Sequence, residues 1–267
     1  MYDENRYKKM VIYIEACESG SMFENLLSPN INIYATTAAN SAESSYACYW
    51  DSELENYLGD VYSVNWIEDS DKPSLRDETL VQQYLKVKEE TKTSHVCEFG
   101  DFLMHPLALS EFQGNKIAEN EVDAVEQSKI TDAVESGDVP LLIAKYKATY
   151  SSKHLQRYIQ LVKGRNYMRI KFMQIAKAIS QFTEVSATQL VIARDSIKDH
   201  KCYDSLREIL KKHCFDLSKH PFALRYLYIL VNFCNSANKD FEMIAKASSE
   251  MMNICSTNTE NVFDRIE

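Results

Sequence analysis

Glycine and proline are scarce, with six and five among 267 residues, which excludes collagen-like and low-complexity classes. Past Pro140 the only glycine is Gly164, so the C-terminal half has little turn chemistry and is free to run as helices. No apolar stretch reaches the roughly 18 residues of a membrane-spanning helix, and no membrane partner is expected. Cysteine never occurs as a CxxC pair, and His95, His105, His154, His200, His213 and His220 are scattered without metal-ligand spacing. No metal and no cofactor are therefore expected. The opening residues MYDENRYKKM carry charge with no apolar stretch behind it. They do not read as a signal peptide but as the middle of something longer. No Asn-X-Ser/Thr sequon occurs, which bears on secretion in neither direction.

Basic residues are missing unevenly. From Met10 to Asp71 there are eleven Asp or Glu and no Lys or Arg, while from Val139 to Thr183 there are nine Lys or Arg and no acid. Opposite signs on the two ends predict mutual attraction. Tyr146, Tyr150, Tyr158, Tyr167 and Phe172 interleave the basic run, a pattern found in nucleic-acid binders. A net charge of −9, a pI near 5.3 and the lack of an RNP or helix-turn-helix word argue against that partner.

What is present divides into three stretches. In residues 1–104, Val11–Ile14 and Ile31–Tyr34 are short β-rich runs. Ser74–Lys88 is a helix pattern behind Pro73, with Ser74 and Asp77 as a capping box, and His95–Phe99 is a further strand closed by Gly100. This is an α/β region holding part of a sheet. Residues 105–137 form an acidic, weakly patterned linker with a short helix expected over Glu119–Glu135. Residues 138–267 are helical throughout. Met168, Phe172, Ile175, Ile179 and Phe182 fall on one helix face, and Leu224, Leu227, Leu230 or Val231, and Cys234 on another. Cys202, Cys214, Cys234 and Cys255 gather in this last stretch, suggesting two disulfides and an oxidising compartment. Sequence alone permits three connectivities.

Cys17 is set apart by its place. It comes after Val11-Ile12-Tyr13-Ile14 within EACESGSM, where a buried strand ends and a loop or helix begins. The C-terminal edge of a parallel sheet opens into the ligand crevice, and the N–H groups of a helix start just beyond it stabilise a thiolate. A cysteine there can attack a carbonyl. The pattern lies near the caspase signature, with an extra serine before Gly20. Three stretches, YIEACESGSM (13–22), INIYATTAANSAESSYACYW (31–50) and YLGDVYSVNWIEDSD (57–71), closely resemble the legumain, or asparaginyl endopeptidase, family. DVPL (138–141), KCYDSLREILKKHCFD (201–216) and ALRYLYILVNFC (223–234) resemble that family's prodomain.

The resemblance implies a caspase-like α/β sheet, here partial, followed by an all-α prodomain that covers the active-site cleft. It implies a cysteine endopeptidase zymogen cutting protein and peptide substrates after Asn, and after Asp in acid, in a lysosomal, endosomal or vacuolar compartment or outside the cell. Cys17 becomes the nucleophile, Glu15, Ser44, Ser45 and Asp60 the pocket for the asparagine carboxamide, and Asp101, after Gly100, a processing site. The implied disulfides are Cys202–Cys234 and Cys214–Cys255. A cysteine peptidase also needs a general base and oxyanion donors. In this family the base is a His-Gly histidine upstream of the cysteine, and no histidine precedes Cys17. The chain thus reads as N-terminally incomplete and inactive by itself, or as a non-catalytic binding or regulatory relative. The lipid-anchor transamidases share the cysteine motif but are not expected to carry a four-cysteine helical prodomain.

Overall fold

Short β-branched and aromatic runs build the first sheet. In the computed structural model, which describes residues 1–71, 78–114 and 130–256, β1 (Met10–Ile14) runs parallel to β2 (Ile33–Thr37), with Met10 opposite Ile33 and Ile14 opposite Thr37. A hairpin of β3 (Tyr46–Asp51) and β4 (Asn56–Asp60) comes next, then helices α1 (Val61–Ser70) and α2 (Leu80–Glu90). β5 (Cys97–Gly100) closes the other side of β2 antiparallel, giving the order β1-β2-β5. Gly100 is required at this crossing: its φ is +93°, and an added Cβ would stand 2.2 Å from the Ile33 carbonyl oxygen.

β2 is the covered strand, with Tyr34, Ala35, Thr36 and Thr37 all buried. The small residues Ala38 and Ala39 let the chain leave the strand inside the core, where Tyr62, Tyr84, Val87 and Val96 close around Ala38. Tyr34, Leu80, Met104 and Leu109 form a second cluster. Thr36 Oγ1 pairs with the Tyr62 hydroxyl at 2.6 Å, which avoids the cost of an unpaired buried group at that position. The partial caspase-like sheet expected from the sequence is thus present.

Local details differ from expectation. α2 starts at Leu80, capped by a Thr79–Gln82 box in which Thr79 Oγ1 accepts from the Gln82 N–H. The expected Ser74–Asp77 box lies outside the described residues. After α3 (Ser110–Gln113), most of the expected helix over 119–135 also lies outside them, but its end is a strand: β6 (Val134–Glu135) pairs antiparallel with β3. Two residues have no strand propensity worth the name, so only the open edge of β3 makes them one.

The chain divides into two compact units, Met1–Val139 and Pro140–Glu267. Helices α4 (Val139–Ala148), α5 (Ser152–Ile179), α6 (Ala187–Ile192), α7 (His200–His213), α8 (Tyr228–Ala237) and α9 (Phe241–Ser256) make up the second stretch. Met168, Phe172, Ile175 and Ile179 are buried along one face of α5 and form the floor of its core. Leu224 breaks the second expected stripe and is exposed, because Pro221–Tyr226 is a 3-10 turn whose period of three carries it off the face of α8. Lys171 is buried among these apolar residues and donates to the Ile254 carbonyl at 2.7 Å, satisfying an end carbonyl of α9.

Disulfides join Cys202 on α7 to Cys234 on α8, and Cys214 at the end of α7 to Cys255 on α9. The second bridge closes a span of 41 residues, for which loop-closure entropy gives about 3–4 kcal/mol. The double change Cys214→Ser with Cys255→Ser should lower the stability of the helical unit by that amount in denaturant unfolding. A loss below about 1 kcal/mol would mean that packing alone holds α7 to α9.

Candidate active site

The turn after β1 carries the thiol. Glu18 adopts a left-handed conformation, φ 52°, and its N–H donates to the Glu43 carbonyl at 2.7 Å, while the Gly20 N–H donates to the Ala39 carbonyl at 3.0 Å. Ser19 is fully buried and ties the same loop by accepting from the Ala39 N–H at 3.1 Å. A Cβ on Gly20 would stand 2.9 Å from the backbone of Asn40 and Ser41, so glycine is what allows the 39–45 loop to close over the turn. The chain then makes a single 3-10 turn, Ser19–Met22, in place of the helix start expected from the sequence. The donor to the thiol comes instead from that loop: the Ser45 N–H lies 3.3 Å from Cys17 Sγ, with the Ser45 hydroxyl at 3.7 Å. Cys17 is half-buried, so its sulfur is held yet reachable.

The acids expected in a pocket converge on the same place. Glu15, two residues before Cys17, accepts from the Ser63 N–H at 2.9 Å through Oε2, and its other oxygen is buried without a hydrogen bond. Burial pushes its carboxyl up from 4.5 to about 7, opposed by hydrogen bonding from Ser63 and helped by nearby Asp60. Burial also raises Asp60, against a hydrogen bond from Ser136. An acceptor oxygen with no partner beside a second acid is suited to a ligand that brings N–H donors.

Ser44 and Ser45 are engaged from within the chain. Ser136 donates its N–H and its hydroxyl to the Ser45 carbonyl, both at 3.0 Å, and its hydroxyl lies 3.3 Å from Ser45 Oγ. Ser44 Oγ donates to Glu135 at 3.0 Å. Val134 stands opposite Ala47 and Glu135 opposite Tyr46, so 134–135 lies as a short strand along β3, and the 3-10 turn Ser136–Asp138 that follows sets Ser136 beside the thiol's own partner. Further along, Asp132 accepts from the Tyr49 and Trp50 N–H groups at 3.1 and 2.5 Å. Sequence reasoning missed all of Asp132, Glu135 and Ser136, since the segment has no motif of its own. The serines it binds were the one available signal.

Other sequence candidates stand apart. The hydrogen-bond partners of Cys17 among the described residues are the two groups of Ser45, and no histidine is one of them. His95 Nδ1 is engaged by Glu43 at 2.8 Å and His105 Nε2 by Glu98 at 2.9 Å; the other four histidines lie in the second unit. Asp101 is buried, donates its N–H to the Ile33 carbonyl at 2.8 Å and accepts from the Leu103 N–H at 3.0 Å. A protease needs its substrate extended, so a cut after Asp101 requires this turn to open first. Cys48 is buried and its thiol is pushed to about 12, chiefly by burial, which makes it inert.

Glu15 gives the first unit a pH dependence of definite sign. Between pH 4.5 and about 7 the folded state keeps a proton that the unfolded chain releases, so stability should fall as pH rises through this window, by up to about 3 kcal/mol. Denaturant melts of the chain across that range should show the decline, and Glu15→Gln should flatten it. An unchanged slope in the variant would assign the dependence to other groups.

A half-buried thiol follows a strand of a parallel pair, with the acids Glu15 and Asp60 close by, and a separate helical unit carries two disulfides. Residues 1–115 match the Peptidase C13 family, and residues 156–255 match the legumain prodomain. Legumain of Bos taurus is 41% identical over 244 residues, covering 88% of this chain and 56% of the relative. Legumain of Homo sapiens is 42% identical over 241 residues, with 88% and 55% covered, and the vacuolar-processing enzyme delta-isozyme of Arabidopsis thaliana 35% over 268, with 88% and 56%. The chain belongs to the legumain family. It spans about half the length of the curated relatives it matches.

Proposed function

We propose that this chain carries the nucleophile and the specificity pocket of a cysteine endopeptidase zymogen that cleaves after asparagine. The observation that carries the reading is convergence: Cys17, Glu15, Ser44, Ser45 and Asp60, drawn from three separate parts of the sequence, form one linked cluster in which Ser45 holds Cys17, Asp60 lies near Glu15, and Ser44, Ser45 and Asp60 engage Glu135 and Ser136. Cys17 attacks the scissile carbonyl. The ionised Glu15 accepts from the carboxamide nitrogen, and the serine hydroxyls satisfy its oxygen. Below pH about 7 Glu15 is increasingly protonated and donates instead, so an aspartate side chain becomes acceptable in acid. Residues 132–136 fill the groove as an inhibitory segment, with 1–104 as catalytic part, 105–137 as activation segment and 138–267 as prodomain. Processing near Asp101 then depends on acid opening of its turn.

The base that takes the thiol proton is not among the partners of Cys17, and the 267-residue chain by itself is expected to be inactive. The same observation favours a second reading, a non-catalytic binding protein that keeps the pocket. Two disulfides and the names of the relatives suit a lysosomal or vacuolar setting, and no described helix is long and apolar enough to cross a membrane. The test is a pair of fluorogenic peptides differing only in Asn or Gln at the cleaved position, given to the activated full-length protein. Asn should be favoured by about 100-fold or more, because the longer side chain misplaces every pocket hydrogen bond. Equal turnover would remove the pocket assignment, and no turnover of either would favour the binding protein.

A further inference from the structure

We propose that the N–H groups of Tyr49 and Trp50 form a carboxylate-binding subsite, one that takes an Asp or Glu side chain four residues before the cleaved residue of a substrate. The inference rests on the endopeptidase reading above. Its basis is a break in β3. In a regular strand successive N–H groups point to opposite sides, so two in a row cannot serve one ligand. β3 pairs with β4 at Cys48–Gly59 and again at Trp50–Tyr57, and between them Tyr49 is left-handed, φ 61°. That conformation is disfavoured for a non-glycine residue by the close approach of its Cβ to the backbone. It turns both N–H groups to one side, the concave arrangement that binds anions. The Tyr49 side chain is held by its hydroxyl, which donates to Glu68 at 2.6 Å.

The ligand chemistry is visible in the chain itself, since the Asp132 carboxylate sits there with one oxygen on each N–H. It does so against a stretch rich in acids and without Lys or Arg from Met10 to Asp71, so directed donors and not the general field hold it. The register then fixes which substrate residue would occupy the subsite. Ser136 lies at Ser45, Glu135 opposite Tyr46 and Val134 opposite Ala47, and the same count places Asp132 at Tyr49. If Ser136 occupies the place of the cleaved residue, Asp132 stands four residues before it. A substrate drawn through the same groove would offer its own side chain to the pair of N–H groups.

Two measurements test this. The activated full-length protein is given quenched peptides with Asn at the cleaved position and Asp, Asn or Ala four residues earlier, at pH 6. The Asp peptide should have a kcat/KM about tenfold higher, as expected for a charge-assisted pair of hydrogen bonds. Equal values for the three would overturn the subsite while leaving the endopeptidase reading intact. The second measurement needs no activity. In the 267-residue chain, Asp132→Asn should speed amide hydrogen exchange at Tyr49 and Trp50 by about tenfold and raise the alkylation rate of Cys17, while Asp132→Glu should restore both in part. Unchanged exchange at both amides in Asp132→Asn would refute the carboxylate site whatever the peptides do.

Discussion

Replacing Cys17 by alanine in the activated full-length protein should lower kcat by a factor on the order of 10⁶ and leave KM nearly unchanged. The split comes from the geometry. Among the described residues the sulfur hydrogen-bonds to Ser45 alone, whereas the proposed pocket is spread over Glu15, Ser44, Ser45 and Asp60, so on that proposal the alanine variant removes bond-making and keeps binding. The loop keeps its shape without the thiol, because Glu18, Ser19 and Gly20 hold it through Glu43 and Ala39. Steady-state kinetics on an Asn peptide would check this, with peptide binding to the alanine variant as the companion measurement. Residual activity above about a tenth would mean that another group is the nucleophile. Among the described residues no base is a hydrogen-bond partner of Cys17, and the lack of one would lower the rate by about 10²–10⁴ or more.

Ser136→Asn should turn the proposed inhibitory segment into a substrate. Ser136 already donates its N–H to the Ser45 carbonyl, and its short hydroxyl reaches only Ser45 and the Asp60 side of the pocket. Asparagine at this position would extend its carboxamide toward the unpartnered oxygen of Glu15. Because a site built for hydrogen bonds discriminates strongly against a side chain that leaves them unmade, cleavage after residue 136 by the activated protein should appear in Ser136→Asn. It should be at least about 100-fold slower in the natural sequence and in Ser136→Gln. Intact-mass analysis of a time course would show the cut. If the asparagine variant stays whole under an enzyme that cleaves Asn peptides, then 134–136 does not lie as a substrate lies.

The site was legible where one local signal fixes it. Cys17 after an apolar strand, and a glycine three residues on, are read from strand-end chemistry. The face of α5 made by Met168, Phe172, Ile175 and Ile179 is read from helix period, and both kinds of signal survive folding. What escaped were features decided by distant partners. Val134 and Glu135 become a strand because β3 offers an edge, and Asp132 gains its place because Tyr49 is left-handed. The thiol's donor comes from Ser45, 28 residues away, not from the turn just after it. The start of α2 moved for a smaller reason: Thr79 and Gln82 offer the same capping chemistry a little further along the chain. Leu224 shows the opposite limit, a correct spacing defeated when a 3-10 turn changes the period.

The proposed pairing of Cys17 with an asparagine pocket is most directly tested by covalent labelling with a peptidyl electrophile that ends in asparagine, read as the modified residue and rate by mass spectrometry. With the 132–136 segment loosened by Asp132→Asn, modification is expected at Cys17 alone. The rate should be far higher than with the glutamine analogue, and Cys48 and Cys97 should remain untouched. Equal rates for the two reagents, or labelling at Cys97 in preference to Cys17, would contradict it.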